Sequence, residues 1–259
     1  MASESAPKEA IYHLTHWKAG SQWVQGLLRE LAPRRYLNVP EAVADGIELC
    51  PVQAGRIYSP LYLNKIRFDE SPWAAAPHRK FLVIRDLRDA LVSWYFSLLK
   101  THGENPSVVR HRARLKELEL EAGLLYLLDH EDFFGLAMIC STWLGAADIL
   151  TIQFEEMIER PLEVFGRICS YCGIEVDAGH LERAVARRNF AALSGRPRGA
   201  DGPPSHYRRG VAGDWKNHFT EKVSMEFSRR YDDLIWRCGY EPILPPGHWK
   251  RLREAGAAV

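Results

Sequence analysis

The sequence lacks several features that would place it in a special class of protein. Its 259 residues contain no unbroken apolar run near the roughly 20 residues that cross a bilayer. The first ten residues, MASESAPKEA, have no apolar centre of the kind found in secretory signals. We therefore expect a cytoplasmic protein without membrane contact, and a disordered leader over residues 1–10.

An excess of charge of one sign is also missing. Lys and Arg together number 34 and Asp and Glu 33, so the formal net charge is +1. No overall field attracts nucleic acid or an anionic surface, and we expect no nucleic-acid partner. Any site for an anion has to be a local cluster of side chains.

Cysteine is scarce, and the five residues do not form a disulfide framework. Cys169 and Cys172 form a CxxC, but this pair lies inside a helical pattern and no second pair of ligands follows. We predict buried, reduced thiols and no metal site.

Apolar patterning predicts the fold class. Short apolar runs at 11–14, 35–39, 80–84 and 149–154 read as strands, and amphipathic helices lie between them. This alternation predicts an α/β protein with one domain at 11–259, built on a mainly parallel central sheet flanked by helices. The irregular stretch 40–77, rich in Gly and Pro, is predicted to line a substrate cleft.

The first strand leads through a small-residue turn into a helix, and this turn carries chemistry that suits an anion. Gly20 lets the backbone approach a bulky group, Ser21 can cap the helix, and Lys18 adds a positive charge. The turn is P-loop-like but lacks the order GxxxxGK[ST], because the lysine precedes the glycine. An ordinary strand-to-helix joint remains an alternative interpretation.

Three later segments carry similar chemistry. Arg85 follows the strand KFLVI, and Ser93 lies two helical turns further on; a guanidinium offers a fork of donors suited to phosphate oxygens. The alternative is a solvated charge run over 85–89. Phe190 ends a helical pattern, and Arg208, Arg209 and Gly210 precede the last helix.

Together these segments resemble the sulfotransferases that use 3′-phosphoadenosine-5′-phosphosulfate (PAPS), particularly the cytosolic type and its bacterial relatives. WKAGSQW stands where that family has PKSGTTW, and VIRDLRDALVSWY is similar to its strand-to-helix segment with arginine and serine. QFEEMIERPLEVFGRICSYCGI resembles its YEDL segment. RRGVAGDWKNHFT is a very close match to RKGxxGDWKxxFT.

The resemblance implies a role for each matched residue. Lys18, Ala19, Gly20, Ser21 and Gln22 would surround the 5′-phosphosulfate, with Lys18 as the residue that stabilises charge on the departing phosphate oxygen. Arg85, Ser93, Arg208, Arg209 and Gly210 would hold the 3′-phosphate, while Trp23 and Phe190 would contact the adenine. The implied product is 3′-phosphoadenosine-5′-phosphate (PAP), and no metal is implied.

The general base of the family cannot be carried over. Cytosolic members use a histidine in KTHLP, whereas this sequence has IYSPLY at the corresponding place. Three residues compete for the role: Glu41, which follows the second predicted strand, His16 beside the phosphosulfate loop, and His102 at a helix end.

The acceptor is expected to be a small molecule or natural product with a hydroxyl or amine. A kinase-like phosphoryl transferase and a non-catalytic PAP- or PAPS-binding protein are the competing functions. The family's dimer motif is incomplete here, because Glu221 and Met225 stand where valine and glutamate are expected. Monomer and homodimer both remain open.

Overall fold

A computed structural model describes residues 9–46, 50–199 and 210–245. Within this part of the chain the residues form two compact units. Unit 1 comprises the described residues within Met1–Arg85 and Gly145–Pro197, and unit 2 those within Asp86–Leu144 and Arg198–Val259. No helix in the described ranges is long and apolar enough to cross a membrane.

Unit 1 contains a five-stranded sheet in the order β2-β3-β1-β4-β5, and every pair of neighbouring strands is parallel. The strands are β1 (Ala10–Thr15), β2 (Tyr36–Asn38), β3 (Ile57–Leu61), β4 (His78–Ile84) and β5 (Leu150–Gln153). The predicted class, α/β with a mainly parallel sheet flanked by helices, is confirmed. The limits of the domain stay a prediction, since 1–8 and 246–259 lie outside the described residues.

The central strands are buried because helices cover both faces of the sheet. β1 is buried at all six positions and pairs with β4 from Ala10↔His78 to Thr15↔Val83. Such strands read as nearly continuous apolar runs rather than alternating ones, which is why KFLVI predicted β4 directly. β1 begins at Ala10, the last residue of the predicted leader.

The interpretation of 40–77 as an irregular cleft lining was wrong for β3, which pairs with both β1 and β2. The β1–β3 register shifts between Tyr12 and Leu14, opposite the part of β3 that contains Pro60. Proline has no N–H for the ladder, and its presence hid this strand in the sequence. Three short helices also lie in the stretch: α2 (Glu41–Ala44), α3 (Lys65–Asp69) and α4 (Pro72–Ala75).

The longer helices of unit 1 cover one face of the sheet. The apolar sides of α1 (Ser21–Leu31), α10 (Pro161–Tyr171) and α11 (Ala178–Arg187) are buried with strand residues such as Ile11, Val83 and Ile152. On the other face, Tyr12 stacks on Trp73 with ring centroids 5.5 Å apart. The unit also contains the helices α9 (Phe154–Glu159) and α12 (Phe190–Ser194).

Unit 2 is helical and has its own aromatic core, in which Phe133 contacts Trp94, Phe227 and Tyr231. Thr220 caps the last helix by accepting from the Val223 N–H, as the sequence predicted. The helices are α5 (Leu87–Lys100), α6 (Pro106–Lys116), α7 (Leu120–Leu128), α8 (Glu131–Trp143), a 3₁₀ helix (Asp214–Asn217) and α13 (Glu221–Arg237).

All five cysteines are free thiols. Cys169 and Cys172 lie at the end of α10 and are buried, as predicted. Burial raises the pKa of Cys169 to about 11 and that of Cys172 to about 12, so both stay protonated near neutral pH.

Candidate functional site

The loop between β1 and α1 has an unusual backbone. Lys18 has φ +69° and is the one non-glycine residue with positive φ among the described residues. Gly20 follows with φ +80°. The left-handed region costs a residue with a Cβ about 1–2 kcal/mol, and such strain is concentrated at functional sites. The fold therefore holds the backbone of Lys18 in a costly conformation just before a helix begins.

Gly20 is required at its position for two reasons. Its φ is positive, and a Cβ at this residue would lie 2.6 Å from Cε2 of Phe154. Gly20 is also the N-cap of α1, so the expectation that Ser21 caps this helix was wrong. The Ser21 hydroxyl instead pairs with the hydroxyl of Tyr62 at 2.9 Å.

The start of α1 suits an anion. The N–H groups of Trp23 and Val24 donate to the Gly20 carbonyl at 2.9 and 3.2 Å, and no side chain caps the helix. The first turn contains no acidic residue. Partial positive charge at a helix N-terminus stabilises a negative group there. Of the predicted loop residues, Ala19 is fully buried and the Gln22 side chain is exposed.

Arg85 lies directly against this loop. It follows the end of β4, and its Nη1 donates to the Lys18 carbonyl at 3.1 Å. Its guanidinium lies 4.8 Å from the ring centroid of Phe154, the same ring that faces Gly20. Tertiary packing thus brings Lys18, Gly20 and Arg85 together around one aromatic side chain.

The imidazole of His16 holds the loop in place through hydrogen bonds to the backbone. It is fully buried, its Nε2 accepts from the Arg85 backbone N–H at 2.9 Å, and its Nδ1 pairs with the Trp17 carbonyl at 2.7 Å. These partners require a proton on Nδ1 and a lone pair on Nε2. Burial lowers the pKa of His16 to about 4, and the charge of Arg85 acts in the same direction. His16 is therefore neutral, with both nitrogens engaged.

Glu41 lies on the short helix α2, which is tied to the same loop through Tyr62. The Tyr62 N–H donates to the Ala44 carbonyl at 2.7 Å, while its hydroxyl contacts Ser21. Burial raises the pKa of Tyr62, and the negative charges of Asp45 and Glu41 raise it further. The structure thus places two carboxylates near the tyrosine that contacts the start of α1. Glu41 itself is exposed.

Asp45 is the residue that our interpretation of the sequence missed. It is half-buried, and burial together with the charge of Glu41 raises the pKa of its carboxyl group. A raised carboxylate pKa is typical of residues that accept a proton in catalysis. Its position four residues after Glu41, on the same helical face, was the available signal.

The two predicted adenine contacts occupy different surroundings in unit 1. Trp23 is buried, and its ring meets Phe165 edge to face at 5.6 Å. Its Nε1–H is buried with no hydrogen-bond partner among the described residues. Phe190 begins α12 and is half-buried, with the guanidinium of Arg196 5.6 Å from its ring centroid.

In unit 2, Ser93 lies half-buried on α5. One turn earlier on this helix, the Asp89 carboxylate accepts from the N–H groups of Gly213 and Trp215 at 2.7 and 2.9 Å. The segment that begins at Gly210, where φ is +64°, is therefore anchored to the helix of Ser93. Arg208 and Arg209 lie outside the described residues.

His102 also belongs to unit 2, where it is exposed just beyond the end of α5. Its carbonyl accepts from Arg112 at 2.8 Å.

Two aromatic residues of the stretch 40–77 belong to the core. Tyr58 and Trp73 are fully buried, and their ring centroids lie 5.4 Å apart. Trp17 is half-buried and contacts Tyr62 at 6.0 Å. Trp17 and Tyr62 therefore remain as aromatic candidates beside the loop of unit 1.

Fold and loop define an α/β protein with a strained turn, suited to an anion, at the carboxyl end of its first strand. Comparison with known families gives the more specific assignment. Residues 75–239 match the family described as "Sulfotransferase domain". The chain belongs to this sulfotransferase family, and the predicted enzyme class, a PAPS-dependent sulfotransferase, is confirmed.

Individual proteins agree with this assignment. A 3-alpha-hydroxysteroid sulfotransferase of Cavia porcellus is 25% identical over 259 residues, which is 89% of this chain and 84% of the relative. The fold resembles mouse sulfotransferase SULT7A1 complexed with PAP, with a TM-score of 0.60, 16% identity, and coverage of 96% and 89% of the two chains. A retinol dehydratase in complex with androsterone and PAP has a TM-score of 0.54 and 15% identity, with coverage of 92% of this chain and 82% of the dehydratase chain.

Proposed function

We propose that the chain transfers the sulfuryl group of PAPS to a hydroxyl or amine of a small-molecule acceptor and releases PAP. The observation that carries the proposal is the β1–α1 loop, where the strained backbone of Lys18, an obligatory Gly20 and the N-terminus of α1 follow one another directly. The fold neighbours crystallised with PAP support this choice of nucleotide. Androsterone in one of them supports a small-molecule acceptor.

The residues of unit 1 fit the 5′ end of such a nucleotide. Helix amides and the Lys18 ammonium supply donors and positive charge, while no acidic residue lies in the first turn of α1. Arg85, which lies against the same loop, is proposed to hold the 3′-phosphate, and Trp23 and Phe190 are proposed to contact the adenine. A nucleotide that is charged at both ends of its ribose needs this chemistry.

Ser93 and Gly210 of unit 2 are proposed to bind the 3′-phosphate, together with Arg208 and Arg209. The anchoring of the Gly210 segment on α5 by Asp89 supports the pairing of these two elements. The 3′-phosphate takes no part in bond making; its recognition distinguishes PAPS from ordinary adenine nucleotides.

Lys18 is proposed as the residue that stabilises the transition state. As the bond from sulfur to the bridging phosphate oxygen breaks and the bond to the acceptor forms, negative charge grows on the phosphate. A preorganised ammonium at this point acts where the charge develops, which is worth about 3 kcal/mol for a single donor. The conformational cost of holding Lys18 at φ +69° is consistent with that task.

The acceptor has to lose a proton, and the carboxylates of Glu41 on α2 and of Asp45 directly after it are the best placed groups in unit 1. We propose Glu41 as the general base, as the sequence suggested, with Asp45 as its competitor. Burial raises the pKa of Asp45, which makes its carboxylate a stronger base than that of an ordinary aspartate. The contacts of His16 disfavour it, because both of its nitrogens are engaged and its pKa is about 4.

Ligand selectivity tests the nucleotide. PAP should raise the melting temperature of the full chain more than AMP or ATP at equal concentration, since stabilisation by a ligand grows with the logarithm of its concentration relative to its dissociation constant. Turnover should need PAPS and no magnesium. Stabilisation by ATP with magnesium-dependent phosphorylation of an acceptor would favour the kinase-like alternative, and PAP binding without turnover on any acceptor would favour a binding protein.

Lys18→Ala tests the charge-stabilising residue. We expect kcat to fall about 100-fold, while the PAP dissociation constant rises much less, because the donor acts mainly in the transition state. The exposed lysine variant Lys222→Ala serves as a control and should leave kcat unchanged. Equal turnover in Lys18→Ala and wild-type chain would remove Lys18 from the chemistry.

Glu41→Gln and Asp45→Asn separate the two candidate bases. The variant of the true base should lose most of kcat, roughly 100-fold or more, with PAP binding intact. Glu70→Gln, at an exposed carboxylate after α3, is the matched control. If both α2 variants keep wild-type kcat, the base lies elsewhere, and His102→Ala becomes the next variant to measure.

A further inference from the structure

Unit 2 contains a cluster of metal-ligating side chains that plays no part in the proposed reaction. His111 of α6, His130 at the N-cap of α8 and Asp132 in its first turn each present one ligand atom, all within 4.8 Å of one another. Among the described residues this is the one group of three such side chains. Its two imidazoles and one carboxylate are separated by up to 21 positions in the sequence.

The spacing of the ligand atoms suits a tetrahedral ion. Oδ2 of Asp132 lies 3.1 Å from Nε2 of His111 and 3.3 Å from Nδ1 of His130. Zinc bonds to nitrogen and oxygen are roughly 2.0–2.1 Å, which places neighbouring tetrahedral ligands about 3.3 Å apart. Both Asp132 distances match this spacing, and the three ligand atoms together lie within 4.8 Å of one another, so the two imidazoles have to rotate towards each other to share one ion.

His111 is oriented as ligating histidines usually are. Its side chain is 1% exposed, its Nδ1 pairs with the Tyr126 hydroxyl at 3.0 Å, and the Trp94 ring meets it edge to face at 5.5 Å. A hydrogen bond on the second ring nitrogen holds a ligating histidine in one orientation. Nε2 is consequently directed at Asp132.

The other two ligands are accessible from solvent. The side chains of His130 and Asp132 are 25% and 30% exposed, so an ion can enter and water can complete its coordination. Nitrogen-rich ligand sets favour Zn²⁺, Ni²⁺ and Cu²⁺ over Mg²⁺ and Ca²⁺, which prefer oxygen.

We propose that His111, His130 and Asp132 form a binding site for a first-row divalent cation, with Zn²⁺ as the expected occupant. The bound ion links α6 to the start of α8. To bind the ion, the neutral imidazole of His111 carries its one proton on Nδ1, where it is donated to the Tyr126 hydroxyl, and offers the Nε2 lone pair to the ion. The ion also takes the lone pair of His130 Nδ1, which otherwise accepts from the Asp132 backbone N–H at 3.2 Å. That N–H then faces water at the start of α8.

Calorimetric titration of the full, untagged chain with ZnCl2 tests the site. We expect one ion per chain, a melting temperature that rises with ZnCl2, and little response to MgCl2 or CaCl2. Asp132→Asn and His130→Ala should each lower the Zn²⁺ affinity at least tenfold. These two positions are partly exposed, so both variants should fold, which circular dichroism verifies.

His218→Ala is the matched control. His218 pairs with the Asp214 carboxylate at 3.1 Å, as His111 does with Asp132, but the pair does not belong to a group of three metal-ligating side chains within the described part of the chain. Its removal should leave Zn²⁺ binding unchanged. Absence of Zn²⁺ binding to the wild-type chain would refute the site, as would binding that persists in both Asp132→Asn and His130→Ala.

Discussion

Replacing Gly20 by alanine tests the packing that places the β1–α1 loop. The substitution adds a single methyl group, and the structure assigns it two separate costs. One is the backbone conformation, since φ is +80°; the other is overlap with Phe154, whose Cε2 and Cδ2 would lie 2.6 and 2.8 Å from the new carbon.

The two costs can be given magnitudes. A left-handed alanine costs about 1–2 kcal/mol relative to a relaxed conformation. Forcing a methyl group into a well-packed position typically costs about 1–3 kcal/mol more, because neighbours have to move. The Phe154 ring cannot move freely, since the Arg85 guanidinium lies on it at 4.8 Å. We expect Gly20→Ala to destabilise the chain by about 2–5 kcal/mol.

Urea unfolding followed by circular dichroism measures the change in the free energy of unfolding. Gly145→Ala is the matched control, because Gly145 has φ +82° and nothing within 4 Å of its added Cβ. It should cost about 1–2 kcal/mol, from the backbone alone. When Phe154 is also replaced by alanine, Gly20→Ala should likewise cost only about 1–2 kcal/mol. The coupling energy of this double-mutant cycle then measures the cost of the overlap between the new methyl group and the Phe154 ring.

Equal destabilisation by Gly20→Ala and Gly145→Ala would refute the close contact with Phe154. A coupling energy near zero in the cycle would refute it independently. Either result would also weaken the proposal that this loop is shaped for a bulky anion, because the close backbone approach would then have no structural basis.

Two further predictions concern buried polar residues. Burial lowers the pKa of His16 to about 4 from 6.5, so the unfolded chain binds its proton first as the pH falls. Between pH 7 and pH 4 the free energy of unfolding should fall by about 3 kcal/mol more in the wild-type chain than in His16→Gln. Urea titrations at each pH measure this difference. Equal losses in the two chains would contradict a neutral, buried imidazole. Asp89→Ala removes the acceptor of two backbone N–H groups and should cost about 3 kcal/mol or more, whereas Asp233→Ala on α13 should cost far less.

Several features of the fold could be predicted from local sequence. KFLVI predicted β4, Pro161 the first residue of α10, and Thr220 with Gly239 the limits of α13. Each depends on interactions within a few residues: an unbroken apolar run, a fixed proline φ, or a side-chain cap. The same reasoning missed β3, because Pro60 interrupts its ladder and its neighbours in the sheet are distant in sequence.

Some residues of the candidate site could be proposed from local sequence, and others could not. Lys18, Gly20, Arg85 and Ser93 were identified from short motifs, which the comparisons with sulfotransferases support at the level of the family. Asp45 was missed because its importance depends on burial and on the nearby charges around Tyr62. Local sequence shows neither the burial of a side chain nor the charges that tertiary structure places around it.

By itself, the sequence determined which segments become strands and helices and which turns can receive an anion. These properties follow from backbone preferences, caps and apolar periodicity over a few residues. Tertiary structure alone decided that Phe154 lies between Gly20 and Arg85, and that His16 is a buried support rather than a free base. Those contacts join residues more than 60 positions apart, and they exist because β1, β4 and β5 are neighbours in one parallel sheet.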